Sequence, residues 1–570
     1  TLPYFFVIGM GAEQVFRAYG DTLDPSWSVI YLNIQMGVSA FAVLLSLITA
    51  IPDRNRTLHR GQSHTSATSL DRGILTLWGA AALGSLLFLQ LSLLATPNAI
   101  TGRTQGDYTL FVPIISVATL LPLIPTVRKR ARDIIAPFDS STRGWMWLIL
   151  LALLIVIGTR ITGLIGNFGG ISPGAIVLAF AQLFASLTWW WIAAPQGERK
   201  RNFTGLWLPV ATLIFALFVV ADIFTYEYAF VADFAPPLDT LNEYIPPLLR
   251  GFRGVGTGVM LVAVFLSITP ILQYRSAIPW RGGTAIQNFF TILLVAGTAT
   301  AAGFFAQPPV IQPVLNVDEI RVGTYNIHGG YDEFFNFTLP DMARTIERSG
   351  AEVVLLQDVD AGRLTSFGVD EGLWLARNIN NPDNTRGMDM RYYGTIEGLH
   401  GLAILSRVPI IFEDGITIPG VDRTTGLQRV QIRPDEGAVT LYNTHLGFLL
   451  SGDEIEDQES NQRQQLDLIF ATIEQHIERD YGGQLGRALL AGTFNNVPDS
   501  PLMQYLASTG FNDPFADANP ILSNTLVTAQ RQGRIDYLWL WEQSLRSTGS
   551  GVIDSNASEH RMAFVGIQLR

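Results

Sequence analysis

Six stretches in the C-terminal part of the chain set polar side chains directly after apolar runs. They are Thr324-Tyr325-Asn326-Ile327-His328, Leu356-Gln357-Asp358, Asn443-Thr444-His445-Leu446, Gly492-Thr493-Phe494-Asn495-Asn496, Arg534-Ile535-Asp536-Tyr537 and Ser558-Glu559-His560. Short apolar runs of this kind read as buried strands, so each polar group sits where a strand leaves the core. Amide, carboxylate and imidazole groups gathered at such ends suit a hard divalent cation and a phosphate. Oxygen ligands hold Mg²⁺ while several waters stay bound, and imidazoles polarise or protonate phosphate oxygens. The chemistry expected from these residues alone is metal-assisted phosphoester cleavage. The chain has no cysteine, which excludes a thiol nucleophile, a disulfide framework and any Cys-based zinc or iron–sulfur site.

Residues 319–570 alternate strand-like and helix-like stretches. Strands are expected at 320–326, 352–357, 402–406, 428–433, 438–444, 487–492, 535–540 and 562–569. Helices are expected at 339–349, 459–479 and 500–508. The first helix opens at Thr338-Leu339-Pro340-Asp341, with Pro and an acidic residue where a helix N-terminus favours them. The pattern predicts an α/β or α+β sandwich.

The rest of the chain is of another kind. The whole sequence of 570 residues is 48% hydrophobic and only 15% charged, against about 25% charged in average soluble proteins. A single soluble globule and a disordered chain are both excluded. Residues 1–317 carry 14 acidic and 19 basic residues, residues 318–570 carry 35 and 19. The basic residues are 36 Arg and 2 Lys, a bias for which we have no functional account.

Apolar runs long enough to cross about 30 Å of hydrocarbon lie near 28–51, 73–96, 108–127, 145–165, 172–194, 204–222, 254–273 and 287–306. A further run, 1–19, carries Glu13 and Arg17, a pair expected to meet on one helix face. The expectation is a polytopic helical domain of about nine spans over 1–306, with 307–318 (QPPVIQPVLNVD) as an extended proline-containing linker. The chain as read starts at Thr1 and shows no cleavable signal peptide. Asn33, Gln35, Arg160 and Asp222 are further polar residues within or near spans; snorkelling or local pairing is the simpler account of each.

Alternate loops differ in charge. Those at 52–72, 128–143, 195–203 and 274–286 hold 14 Arg and Lys, whereas the intervening ones hold only Arg103, Arg250 and Arg253. The positive-inside rule places the first set in the cytoplasm. The C-terminal domain is then expected outside it, against the outer leaflet of a bacterial plasma membrane.

The six motifs, in this order and with Gly401-Leu402-Ala403-Ile404-Leu405-Ser406-Arg407 between them, make residues 319–570 similar to the endonuclease/exonuclease/phosphatase superfamily. That resemblance implies a four-layered α/β sandwich with its site at one end of two facing sheets. It implies Mg²⁺ (or Mn²⁺ or Ca²⁺) held by Asn326, Asp358 and Glu559, phosphate contacts from His445 and His560, Asp536 orienting His560, and Asn495 orienting the nucleophile or stabilising the transition state. Three positions depart from the pattern. Asp358 stands where the family has Glu, Glu559 where it has Asp, and Thr493 where it has the Asp of Gly-Asp-Phe-Asn. That Asp is held to activate the attacking water, and a threonine hydroxyl is a poor base. Either another group serves (Asp360 and Asp499 are near in sequence), or the domain is slow, or it is a relict. His328 and His400 are expected to be loop or structural residues, and His476 to be solvated on its helix.

A balance of −16 over 318–570 argues against nucleic acid, which is bound through Lys and Arg. A lipid headgroup phosphate is the expected substrate. Phe334, Phe335, Phe337 and Phe448-Leu449-Leu450 either touch acyl chains or pack in a core. The architecture, and the wording Asn-Ile-His-Gly-Gly at 326–330, are also similar to membrane proteins that remodel glycosylphosphatidylinositol anchors. In a bacterial chain another glycolipid or phospholipid would serve. Two other readings stand beside this one: a non-catalytic lipid-binding or scaffolding subunit with membrane-complex partners, and a transporter with an accessory outer domain.

Overall fold

The computed structural model describes residues 2–25, 36–37, 77–165, 170–192, 204–273, 278, 280–383, 385–421, 423–435, 437–447, 455–480 and 482–569. The expected span at 28–51 and residues 448–450 lie outside the described residues, apart from 36–37.

The N-terminal half is helical. Among the described residues, five helices are long and apolar enough to cross a membrane: Leu77–Leu94, Ser140–Ile161, Pro173–Ile192, Pro209–Phe230 and Ala285–Phe305. A sixth arises if Tyr108–Leu123 and Pro125–Ile135 count together; they bend by 79° where Pro125 opens the second helix. That second helix carries Arg128, Lys129, Arg130 and Arg132, a stretch expected as loop. Leu2–Tyr19 is also helical, and Glu13 and Arg17 pair on it at 2.8 Å. Buried amides meet inside the bundle. Gln14 donates to Thr119, Gln90 to Gln182, and Trp189 to Gln90, interhelical hydrogen bonds of the kind that hold helices together away from water.

The C-terminal half is a two-sheet α/β sandwich. Its strands are β1 (Glu319–Asn326), β2 (Val353–Asp360), β3 (Asp389–Ile396), β4 (His400–Ser406), β5 (Ile410–Ile418), β6 (Thr425–Ile432), β7 (Val439–His445), β8 (Ala488–Thr493), β9 (Phe511–Asn512), β10 (Leu526–Val527), β11 (Gln532–Gly533), β12 (Asp536–Trp541), β13 (Leu545–Val552) and β14 (Ala563–Leu569). One six-stranded sheet runs β13-β14-β1-β2-β4-β3 and the other β5-β6-β7-β8-β12-β9. Val322, Leu355, Leu441, Leu489 and Val565 fill the space between them. Helices Leu339–Ser349 and Glu371–Asn378 cover the outer face of the first sheet, Ile455–Asp480 and Pro501–Ala507 that of the second. The central strands β2, β4, β7 and β8 are buried at every position, on one face by the other sheet and on the other by helices, which gives three apolar layers between four layers of structure.

The two halves share a seam. Ile396 and Leu399, at the β3–β4 turn, belong to the apolar core of the helical half. Helix Pro97–Thr104 lies against the segment after β2. A Cβ on Gly362 would stand 2.5 Å from the backbone of Ala99, and one on Gly102 2.8 Å from Ala361. Asn98 donates to the carbonyls of Thr22 and Gly368 at 2.9 and 2.6 Å. Arg253 donates to the carbonyls of Gly420 and Val421 at 2.8 Å each.

Candidate active site

Strand pairing sets the site. β1 and β2 run parallel, with Asn326 beside Gln357. β7 and β8 also run parallel, with His445 beside Thr493. β12 lies antiparallel to β8 and puts Asp536 beside the same Thr493. Two pairs of strand ends from facing sheets therefore converge. Beneath them Gln357 donates to Asn443 at 2.8 Å and Asn443 to the Leu356 carbonyl at 2.9 Å, which ties the sheets together. Gly492 holds φ at 142°, and a Cβ there would lie 1.9 Å from the Thr444 carbonyl oxygen; only glycine fits. Asp358 and Asn495 adopt positive φ, 51° and 57°, a conformation Asp and Asn tolerate better than most and one that turns their side chains off the ladders.

One side of the site is built within the sandwich. His560 Nδ1 lies 2.8 Å from Asp536 Oδ2. Thr493 donates its hydroxyl to Asp536 Oδ1 at 2.6 Å and accepts from Asn326 Nδ2 at 3.2 Å. Burial alone would lower the His560 pKa, yet the Asp536 carboxylate raises it above the ordinary histidine value. Burial alone would raise Asp536, yet the charge of His560 and its hydrogen bonds hold it below the ordinary value. Thr493 completes this carboxylate as a neutral donor; an aspartate there would set two carboxylates together.

The other side centres on Asp358. Its Oδ1 lies 2.7 Å from Arg423 Nη2, 3.1 Å from His400 Nε2 and 3.1 Å from His445 Nδ1. Its Oδ2 accepts from Asn326 Nδ2 at 2.9 Å. Burial alone would raise this carboxyl, but His445 and Arg423 hold it well below the usual range. His400 Nδ1 meets Asp360 at 2.7 Å, and burial, which would lower the ring, is outweighed by its two carboxylate partners. Asp360, held at about 2 against the opposing effect of burial, also accepts from Arg363 at 3.1 Å and from the Ser366 hydroxyl. Arg363 then reaches Glu227, at the end of an apolar helix, at 2.7 Å.

His445 differs from the other two imidazoles. Burial lowers its pKa, Arg423 and His560 add to this, and Asp358 only partly opposes it. Its partners assign the tautomer: Nδ1–H faces Asp358, and Nε2 lies 3.2 Å from Asn495 Nδ2. Asn495 is itself fixed by the Leu446 carbonyl at 2.8 Å. The site thus combines one imidazole whose pKa is lowered, two whose pKa is raised, and a guanidinium.

The residues implied as metal ligands do not form a cation cage. Asn326 turns its amide nitrogen, not its oxygen, toward Asp358, while its oxygen accepts from the His328 backbone at 2.9 Å. Glu559 sits apart, 3.8 Å from His328 Nδ1 and 3.9 Å from His560 Nε2. Among the described residues, no group of three His, Asp or Glu side chains is arranged to hold an ion. The decisive point is the donor chemistry. Arg423 and His400 already share Asp358 Oδ1. Unit charges 4 Å apart repel by about 4 kcal/mol at an effective dielectric near 20, and a divalent ion doubles that. The donor set does not fit Mg²⁺, Mn²⁺ or Ca²⁺.

Arg423 and Arg363 were not singled out by the sequence, and His400 was expected to be structural. His400 opens β4, ahead of its apolar run rather than after it, and so lacks the signal of the six motifs. Asp360 partners His400 and Arg363 rather than standing free as a base, and Asp499 is exposed in the loop after β8. His476 is buried, not solvated, and stacks on Tyr442 with ring centroids 5.9 Å apart. Phe334 and Phe335 are 75% and 77% exposed, whereas Phe337 packs on Tyr331 and Phe367.

Residues 323–560 match the family model of the Endonuclease/Exonuclease/phosphatase family. The C-terminal half of this chain carries a domain of that family. Solved structures with a similar fold include an endonuclease/exonuclease/phosphatase from Beutenbergia cavernae (20% identity, 44% of this chain and 72% of that one, TM-score 0.33). Others are a family protein from Leptotrichia buccalis (17%, 44% and 100%, 0.34) and sphingomyelinase C from Streptomyces griseocarneus (16%, 44% and 99%, 0.32). No curated protein matches the chain.

Proposed function

We propose that the chain is an integral-membrane phosphoesterase that cleaves or transfers a lipid headgroup phosphate at the outer leaflet. The observation that carries this reading is the seam. Side chains suited to phosphate chemistry connect directly, through Asp360, Arg363 and Glu227, to an apolar helix of membrane length. An apolar cleft of about 600 Å³ opens at the same seam, lined by Phe6, Met10, Leu87 and Phe215 of the helices and by Leu364 and Phe367 beside Arg363. It has the character of an acyl-chain site.

In this reading His445, neutral with Nε2 unprotonated, takes the proton of the attacking hydroxyl or water. His560, held protonated by Asp536, donates to the leaving oxygen. Asn495 positions His445, and Thr493 keeps Asp536 ionised. The missing motif aspartate is replaced as base by His445. Orientation follows from the loops. The sandwich contacts helix Pro97–Thr104 and the 226–256 segment, which belong to the loops poor in positive charge, so the positive-inside rule leaves the sandwich outside the cytoplasm.

The test is release of phosphate or headgroup from a mixed lipid panel by the full chain in detergent, with His560→Ala alongside. Turnover lost in the variant is expected. A native chain that binds these lipids but turns none over would instead favour the scaffolding reading.

A further inference from the structure

The carboxylate that the family pattern assigns to a metal ion is here bonded to a guanidinium, and this disagreement has a functional meaning. Arg423 lies in the connection between β5 and β6 and is buried. It reaches into the site with Nη2 2.7 Å from Asp358 Oδ1 and 3.1 Å from His400 Nε2. Asp358 in turn contacts His445 at 3.1 Å, so the guanidinium stands one residue away from the imidazole nearest Asn495. We propose that Arg423 is the phosphate-binding cation of this site, doing without a divalent ion what the ion does elsewhere in the family, and that the helical half holds it in position. This rests on the phosphoester reading above.

Three physical points carry the inference. A guanidinium stays charged at any physiological pH, and its planar fork of five N–H donors matches phosphate oxygens as well as a carboxylate. Its position beside Asp358, the residue aligned with the family's metal ligand, puts that charge where the ion's charge would act. The segment just before Arg423 is held from the other half of the chain. Arg253, in the segment leading into helix Gly256–Gln273, grips the carbonyls of Gly420 and Val421 at 2.8 Å each. Arg253 itself lies 5.4 Å from the Tyr228 ring, and the Arg423 guanidinium lies 6.0 Å from the Phe230 ring, within cation–π range. Arg253 and Phe230 are thus positioning residues for a cation that the isolated sandwich would hold less firmly. The helical half acquires a role beyond anchoring: it completes the electrostatics of the site.

The test uses the full chain in detergent and reads binding, not turnover. Inorganic phosphate is titrated calorimetrically in EDTA, and Mg²⁺ is titrated separately. The expected result is phosphate binding in EDTA, weakened at least about tenfold by Arg423→Gln and less by Arg423→Lys, with no stoichiometric Mg²⁺ uptake. Arg253→Gln should weaken phosphate binding by a few-fold with the thermal midpoint retained. Phosphate binding that is absent in EDTA but restored by Mg²⁺ would overturn the proposal. So would no phosphate binding under either condition, or equal affinity in Arg423→Gln and the native chain. If Arg423→Gln does not fold, the native-chain titrations and Arg423→Lys decide. A silent lipid panel with Arg423-dependent phosphate binding would sink the lipid reading and leave this one standing.

Discussion

Asp536, Thr493 and His560 are held entirely by the strands and loops of the sandwich, whereas Asp358 reaches through His400, Asp360 and Arg363 to Glu227 on an apolar helix. The two sides of one site therefore answer to different parts of the chain. The first is a short network closed within the sandwich: one imidazole, one carboxylate, one hydroxyl and the Asn326 amide, which also bonds Asp358 of the second. The second is a chain of alternating charges that crosses the seam between the halves. A site of this kind keeps its His560–Asp536 pair whenever the sandwich folds, but keeps its cations in register only when the halves are docked. Buried charges in the second chain are each paired, which is the condition under which they persist.

The sharpest way to break this contrast is His560→Ala. Loss of a positioned acid costs roughly 10²–10⁴ in rate, so headgroup release should fall by that factor, and the loss of the buried partner of Asp536 should lower the thermal midpoint as well. If turnover survives, the closed side is not the acid–base side.

Arg363→Ala attacks the seam instead. It leaves Asp360 buried without its guanidinium, a change that costs about 3–5 kcal/mol for a broken buried pair. Thermal unfolding in detergent should shift down accordingly, and cleavage by added protease in 307–318 should quicken. An unchanged midpoint would mean that the seam chain is decorative.

Thr493→Asp sharpens the closed side. Its carboxyl would sit against Asp536 and have its pKa raised. The variant should match the native chain best at acid pH, below the unfolded value of about 3.9, and lose roughly 1–3 kcal/mol of stability as pH rises through the raised folded value. Greater activity in this variant would show that the family's base is needed after all.

The pH profile separates the imidazoles. Activity should rise as His445 loses its proton, below the ordinary histidine value, and fall as His560 loses its own, above that value. In Asp536→Asn the alkaline limb should move down by about 1–2 units, because the carboxylate that raises His560 is gone. The same linkage acts on stability. The His560–Asp536 pair contributes fully between about pH 3.9 and about pH 6.5; it loses its contribution as pH rises through the raised folded value of His560 and as pH falls through the lowered folded value of Asp536. A profile with an unmoved alkaline limb would assign that limb to another group.

The legible part of the fold follows burial. Each of the eight strands expected from apolar runs is a strand, and the helices at 339–349, 459–479 and 500–508 stand within a few residues of expectation. The strands not anticipated are β3, β5, β9 and β13, all at sheet edges, and the two-residue pair β10–β11. Edge strands bury less and pair on one side only, so Asp389–Ile396 and Leu545–Val552, half-buried or exposed along most of their length, carry little of the apolar signal that marks a central strand. Glu371–Asn378 is only eight residues long, too short for a helical period to stand out.

The same reasoning divides the site. Asn326 and His445 end β1 and β7, Asn495 follows β8, Asp536 opens β12 and His560 precedes β14; a polar group at the margin of an apolar run is a local event in the chain, although for Asp536 and His560 the run follows rather than precedes it. The amino-acid order by itself therefore determined the sandwich, the apolar half and the polar positions gathered at the strand margins. Arg423, His400 and Arg363 could not be read this way. Nothing near Arg423 in sequence marks it, and its partner Asp358 lies 65 residues away. Only the tertiary structure decided that a guanidinium meets Asp358 and that Glu227 and Arg253 of the helical half reach the site. These are long-range charge pairings, formed when two halves dock, and a charge shows its partner only once burial has removed the water that would otherwise solvate it.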